Sequence, residues 1–345
     1  MAHLDLKVRL QDADHAAQLQ KTLTAKGASL FFQGSETDNI YFGSDGAFVK
    51  HRRTVGLGNA SGVNDPESDE IAGANNGPLV AVDKSWAIHY RQAMAPSLPS
   101  PHYLVTVGSS VLKGIGKNIY TDRNLYADVE KPQRSVYWLI QKDAVQGSRQ
   151  SNLRFHFDRM HFGEDAYFME VEAKFANAYT PQDLQQAHDD LEKIKRDLNI
   201  NDADIVHKSY GRLKREQVLG DLSLSNEWVD MMPLGLLQEF AASKREIFAA
   251  DQNLMVENGP NDGAYILLNG AARVFYDDKT YDFGDGYVLG ELATFNKTDR
   301  RCATVTALQP TAALHLSKEL TADLCACPNV LGSWLKRYAP TPVRA

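Results

Sequence analysis

The chain of 345 residues has little cysteine: Cys302, Cys325 and Cys327 form neither a CxxC pair nor an even framework. A disulfide scaffold and a structural zinc site are therefore not expected, and a reducing compartment is the natural setting. It also lacks long apolar runs. The opening MAHLDLKVRL alternates charged and apolar residues, with none of the uninterrupted apolar run of a signal peptide, and no later stretch is long enough to span a bilayer. The expected location is the cytosol, with no membrane partner. Nor is there a basic surplus: the net charge is -7. Coating nucleic acid requires an excess of cations on some face, so no nucleic-acid partner is expected. Internal repeats and low-complexity tracts are absent as well.

What is present is an ordinary globular composition, 43% hydrophobic and 23% charged, in a chain long enough for about two domains. Residues 1–219 hold 26 Lys+Arg against 28 Asp+Glu, and residues 220–345 hold 11 against 16, so the acidity lies mostly in the second part. That boundary is the expected domain division. Period-2 alternation predicts strands at LDLKVRL, NIYF and AFVKHRR, with a helix over 14–26 between the first two. The stretch 56–78 is rich in Gly, Asn, Asp and Ser and reads as a loop excursion. Short strand patterns fill 80–175, and a helix is expected over 181–198, with Thr180 as N-cap and Pro181 in its first turn. VHKSYGRLKREQV reads as one more strand. Beyond it come a helix over 226–248, strands from Ala264 with Gly-rich turns, and a terminal helix over 318–338.

In the second part, Gly290-Glu291-Leu292-Ala293 precedes Arg301-Cys302-Ala303-Thr304-Val305. A cyclic phosphodiester needs one cation, its ribose 2'-hydroxyl a carboxylate, and its exocyclic oxygens backbone N–H groups at a turn where glycine permits close approach. The stretch resembles the phosphate-binding cassette of cyclic-nucleotide-binding domains, the modules of cAMP-dependent kinases and CAP-type regulators. Upstream, AYILLNGAARVF matches the family's strand-turn-strand, with Gly270 in the turn. The resemblance implies that Arg301 meets the phosphate, Glu291 the 2'-hydroxyl, and the Leu292 and Ala293 amides the oxygens. The spacing from Gly290 to Arg301 is one residue longer than usual, and Arg300 replaces a common proline, so either arginine could face the phosphate. Cys302 stands where alanine accompanies cAMP preference and threonine cGMP preference; cAMP is placed ahead of cGMP. Ala303 completes the cassette, and Trp334 and Tyr338 are candidates to stack on the base or, equally, to be core aromatics.

In the first part the argument concerns one face of each strand. His3, Asp5, Lys7 and Arg9 share a side of the first strand, and Leu4, Leu6, Val8 and Leu10 the other. Lys50 and Arg52 share a face, as do Arg154, His156 and Asp158, and Glu170 and Glu172. Asp5-Leu6-Lys7, the run DNIYF at 38–42, Lys50 with Arg52, Tyr90-Arg91, Val129-Glu130-Lys131 with Arg134, the run RFHFD at 154–158, Glu170-Val171-Glu172 and Ser209-Tyr210 follow in order. In this order they resemble the CYTH family, which contains class IV adenylyl cyclases, thiamine triphosphatases and inorganic tripolyphosphatases. The resemblance spans residues 3 to about 213.

It implies an α+β chain: an N-terminal antiparallel β-barrel tunnel with flanking helices, then a C-terminal β-roll with capping helices. Lys7, Arg9, Lys50, Arg52, Arg91, Lys131, Arg134 and Arg154 would neutralise a triphosphate, and Asp5, Glu130, Asp158, Glu170 and Glu172 would hold Mg2+ or Mn2+. The expected function is a metal-dependent hydrolase of tripolyphosphate, thiamine triphosphate or a nucleoside triphosphate, regulated by the cyclic nucleotide. A class IV-type cyclase that senses its product, or an inactive receptor that binds a phosphorylated ligand, are the alternatives, and a homodimer is compatible with all three. The family's opening E-x-E-x-K reads His3-Leu4-Asp5-Leu6-Lys7 here, which predicts weakened metal binding. Its K-x-R reads Lys131-Pro132-Gln133-Arg134, and only a bulge at Pro132 would put both cations on one face.

Overall fold

The computed structural model describes residues 2–42, 48–58, 84–94, 104–112, 125–140, 152–175, 180–222, 227–328, 330–332 and 334, with 84–94 and 104–112 described by their backbone alone. They fall into two compact units, Met1–Lys214 and Arg215–Ala345.

The first unit contains β1 (Ala2–Leu10), β2 (Ser29–Phe42), β3 (Phe48–Gly58), β4 (Lys84–Met94), β5 (Leu104–Leu112), β6 (Leu125–Ile140), β7 (Asn152–His161) and β8 (Asp165–Phe175). Its ladders run β1-β5-β4-β3-β2-β6-β7-β8, and β8 pairs again with β1, closing an antiparallel barrel. Among the described residues, α1 (Ala13–Ala25) and α2 (Pro181–Asp197) accompany it, and α3 (Tyr210–Leu219) begins in this unit and ends in the next. Asp12 caps α1 by accepting from the His15 amide, and Thr180 and Asp183 form a reciprocal capping box at α2.

The leucines of β1 explain which face turns outward. Leu4, Leu6, Val8 and Leu10 pack with Leu19 and Leu23 of α1, Leu184 and Leu191 of α2, and Phe155 and Val171 of the neighbouring strands. Each such side chain contributes about 1.5–3 kcal/mol when fully buried. Strand alternation then sends Asp5, Lys7, Arg154, His156 and Asp158 into the barrel, and all five are buried too. The charged face is therefore the enclosed one.

Against β2, Glu36 pairs with Lys131 and Gly34 with Arg134, so three steps along β6 match two along β2. Pro132 and Gln133 supply the bulge, and both stay exposed. The expected strand at VHKSYGRLKREQV is instead the helix α3. The Ser209 hydroxyl accepts from the Arg212 amide at 3.2 Å, and Tyr210 and Leu213, three apart, pack on one apolar cluster. The excursion expected at 56–78 begins within β3, and its remainder lies outside the described residues.

The second unit contains α4 (Glu227–Asp230), α5 (Leu234–Ala241), β9 (Lys244–Phe248), β10 (Asn253–Met255), β11 (Gly263–Asn269), β12 (Ala272–Tyr276), β13 (Lys279–Phe283), β14 (Val288–Leu289), α6 (Glu291–Phe295), β15 (Thr304–Ala307), β16 (Thr311–Ser317) and α7 (Lys318–Ala326). Two antiparallel sheets, β10-β15-β12-β13 and β14-β11-β16-β9, form a β-roll. The single helix expected over 226–248 is broken before α5 at Pro233, whose ring cannot continue a helix, and its last residues become β9 paired with β16. The terminal helix expected over 318–338 is interrupted at Cys327, just before Pro328: α7 ends at Ala326, residues 328, 330–332 and 334 are helical again, and 335–338 lie outside the described residues. No described helix is long and apolar enough to cross a membrane.

Candidate functional site

Inside the barrel, Glu36 and Asp38 of β2 organise the cations. Arg52 donates to Asp38 through Nε at 2.8 Å and through Nη2 at 3.0 Å, and it also lies 3.1 Å from Glu36. Lys131 bonds Glu36 and reaches Asp38 at 3.1 Å; Arg134 donates to Glu36 and meets His156; Lys50 stands 3.8 Å from Asp38. Burial alone would raise the Asp38 carboxyl, yet Arg52, Lys131 and Lys50 hold it well below its ordinary value. Glu36 is lowered against burial by Arg134, Arg52 and Lys131 in the same way. Asp158 sits 3.6 Å from Arg134 Nε.

On the adjoining strands β1 and β8 the arrangement is acidic. Asp5 stands directly across from Glu172, and Lys7 across from Glu170. Lys7 Nζ takes Glu170 at 3.1 Å and lies 4.1 Å from the centre of the Tyr210 ring. Against the burial that opposes its charge, Lys7 holds the Glu170 carboxyl down, with His156 and Lys131, to about 2. Glu172 Oε2 is met by His156 Nε2 at 3.2 Å and Arg154 Nη1 at 3.7 Å. Asp5, by contrast, is pushed well above its ordinary value, first by burial and then by Glu170 and Glu172. The donor atoms of His3, Asp5 and Glu172 all lie within 4.8 Å of one another, and Asp5 Oδ1 is buried with no hydrogen-bond partner. This donor set fits a divalent cation.

Three of the expected site residues stand apart from the group they were expected to join. Glu130 alternates out of phase with the buried Lys131 and projects to solvent, away from the acidic group. Arg9 lies towards the end of β1, is 60% exposed and pairs with Glu164, so it is no part of the enclosed face. Asp158 is enclosed but serves Arg134 rather than the His3 group. Arg91 belongs to β4, opposite Val107, and its side chain lies outside the described residues. Sequence reasoning missed Glu36, a role for Asp38, and the alignment of His3 with Asp5 and Glu172. The last was legible as an i, i+2 pair on one strand; the cross-strand register was not.

In the second unit a cavity of about 500 Å3 is lined by Gly290, Glu291, Leu292, Ala293, Arg301, Cys302 and Ala303, with Met255, Val274, Tyr287 and their neighbours on its apolar wall. Gly290 has φ +94, a left-handed conformation, and a Cβ there would lie 2.7 Å from Arg301 Nη1. Arg301 is buried; it donates through Nη1 to the carbonyls of Gly263 and Gly290 and through Nη2 to Asp262. Residues 245–326 match the family described as cyclic nucleotide-binding domain. The chain thus carries a cyclic nucleotide-binding domain.

Within that domain the two arginines are placed differently. Arg300 is exposed, donates to the Asn258 carbonyl at 2.8 Å and does not line the cavity, whereas Arg301 does. Glu291 is buried, and burial followed by the Glu291 charge pushes the Cys325 thiol up to about 11. Trp334 is buried edge-on against Trp228, ring centres 5.5 Å apart, as the core-aromatic alternative expects. Tyr338 lies outside the described residues.

Similar solved structures include the cGMP-bound form of the EAL enzyme Bd1971 (22% identity, 27% of this chain and 26% of that one, TM-score 0.24). Another is PKAR CBD2 bound to Sp-2Cl-cAMPS (20% identity, 36% and 83%, TM-score 0.28). A third is the sensor domain of the transcriptional regulator DNR from Pseudomonas aeruginosa (18% identity, 35% and 84%, TM-score 0.30). The chain thus spans about a quarter of the length of the EAL enzyme. No curated protein matches it.

Proposed function

We propose that the cavity of the C-terminal domain binds a cyclic nucleotide, cAMP ahead of cGMP, and that this ligand regulates a metal-dependent hydrolysis of a triphosphate inside the N-terminal barrel. In the cavity, Arg301 takes the cyclic phosphate, Glu291 the ribose 2'-hydroxyl, and the Leu292 and Ala293 amides the exocyclic oxygens, with Gly290 permitting the close approach.

For the barrel, the observation that supports the reading is the shared enclosed face: Lys50, Arg52, Lys131, Arg134 and Arg154 from β3, β6 and β7, beside Asp5, Glu170 and Glu172 from β1 and β8. Triphosphate hydrolysis depends chiefly on positioning and charge neutralisation. The cations bind and orient the phosphate oxygens, exchanging their present carboxylate partners for them. Asp5 and Glu172, with His3 beside them, would hold a divalent ion, which would supply Lewis-acid polarisation. Water adds to the terminal phosphorus as the bridging P–O bond breaks; that bond's electron pair leaves on the diphosphate, whose departing oxygen takes up the proton that the water sheds. The arrangement of cations in order along residues 3 to 213 is that of the CYTH resemblance.

One observation favours a second reading, a receptor without turnover. Glu36 and Asp38 already engage Lys50, Arg52, Lys131 and Arg134, so the barrel interior is largely self-neutralised. The deciding experiment incubates the full chain with Mg2+ or Mn2+ and tripolyphosphate, thiamine triphosphate, ATP or GTP, with and without cAMP or cGMP, and resolves every product. Orthophosphate release that changes with the cyclic nucleotide is the expected result. Pyrophosphate with a cyclic product would replace hydrolase by cyclase, and binding without turnover would establish the receptor.

A further inference from the structure

We propose that His3, Asp5 and Glu172 form a site for a first-row transition-metal ion, Zn2+ or Mn2+, in preference to Mg2+. The inference deepens the reading above, and rests on it only for what the ion does there.

The site follows from strand geometry. Residues i and i+2 of β1 project to the same face, and Glu172 is the cross-strand partner of the second of them. Three donors from two strands therefore converge without any loop. His3 Nε2 lies 3.3 Å from Asp5 Oδ1 and 4.0 Å from Glu172 Oε1. Ligand atoms bound about 2.0–2.2 Å from one metal ion stand about 3 to 4 Å apart, so the triad needs little rearrangement to close on an ion. Asp5 is only 6% exposed, and its Oδ1 is buried without a hydrogen-bond partner, an arrangement that a cation would satisfy.

The surroundings choose which groups are ligands. Lys7 already engages Glu170 at 3.1 Å, which removes that carboxylate from the set. His156 and Arg154 approach Glu172 on Oε2, leaving Oε1 on the side of His3 and Asp5. Such outer contacts orient a ligating carboxylate. The His3 nitrogen then sets the metal. Mg2+ favours an all-oxygen octahedron and sheds water reluctantly, whereas one imidazole nitrogen with two carboxylates suits Zn2+ best and is accepted by Mn2+ more readily than by Mg2+, because transition-metal ions bind nitrogen more strongly. The histidine in the opening motif thus re-specifies the ion, where the sequence alone predicts weaker binding.

The test uses the full chain, freed of metal, and titrates Zn2+, Mn2+ and Mg2+ separately with no phosphate present, in wild type, His3→Glu and His3→Gln. Wild type should bind Zn2+ at least 100-fold more tightly than Mg2+. His3→Glu should weaken Zn2+ at least tenfold while leaving Mg2+ equal or tighter. Pulsed electron paramagnetic resonance on the Mn2+-loaded wild type, which needs no variant to fold, should show 14N coupling that disappears in His3→Gln. Equal affinity for Zn2+ and Mg2+, an unchanged Zn2+ affinity in His3→Glu, or no nitrogen coupling would each overturn the proposal. The two readings fail separately: absence of tripolyphosphate binding in chelator-treated protein strikes the polyanion reading and leaves the metal titrations as they are.

Discussion

Lys131 and Arg134 stand three residues apart on one strand, yet both turn into the barrel and both bond Glu36. In a regular strand they would face opposite sides; the bulge at Pro132 and Gln133 brings them together. Deleting Gln133 should leave both cations inward on a regular strand and shift the urea midpoint of the barrel by little, about 1 kcal/mol or less. Deleting both Pro132 and Gln133 makes the two cations adjacent, so one of them should turn outward and tripolyphosphate binding should be lost. Equal behaviour of the two variants in a binding titration would show that the bulge does not set the register.

Asp38 is the shared counter-charge of Arg52, Lys131 and Lys50, so Asp38→Asn leaves buried cations short of a partner. The expected loss is about 3–5 kcal/mol. Because its folded-state value lies below the ordinary one, the stability it contributes is present above the unfolded value and is lost as pH falls through the folded one. Denaturant midpoints measured between about pH 5 and pH 2 should fall more steeply for wild type than for Asp38→Asn, and parallel curves would remove Asp38 from this role.

In the cyclic nucleotide-binding domain, Arg301→Ala should weaken cAMP binding at least 100-fold, about 2.7 kcal/mol, while Arg300→Ala should stay within twofold. Arg301→Lys, which keeps the charge but not the fork that holds the Gly263 and Gly290 carbonyls on one nitrogen and Asp262 on the other, should fall between them. Calorimetric titration of the three variants checks the assignment; a larger loss from Arg300→Ala would reverse it.

Gly290→Ala meets two obstacles, a left-handed φ and a methyl 2.7 Å from the Arg301 guanidinium. The cAMP dissociation constant should rise more than tenfold. Competition of a fluorescent cAMP analogue measures it, and an unchanged constant would show that the cavity wall yields.

Trp334→Ala removes a buried edge-to-face partner of Trp228 and should destabilise its unit by about 3–5 kcal/mol. At a temperature where the variant remains folded, its cAMP affinity should match wild type. A selective loss of affinity would restore the base-stacking role.

Much of this was legible in local sequence. The period-2 split of β1 separates Leu4, Leu6, Val8 and Leu10 from His3, Asp5 and Lys7, and the cassette residues from Gly290 to Ala303 carry their chemistry in order. Helix α2 is readable from Thr180 and Pro181 because capping acts within one turn. Other features were not legible. Ser209-Tyr210 begins a helix rather than closing a strand, because Ser209 caps the next turn and the Tyr210 ring packs in the cluster with Phe168. Glu36 gives no local signal of importance; only the β2 to β6 register sets it against Lys131.

The sequence by itself determined which residues alternate, where the cap of α2 stands and which stretch resembles a cyclic-phosphate cassette, since these depend on neighbours within a few positions. The tertiary structure alone decided that the charged faces point inward, that Arg301 and not Arg300 lines the cavity, and that His3 meets Glu172. Those outcomes depend on contacts between residues far apart in the chain, where ladder register and the burial of an opposing apolar face determine what a side chain meets.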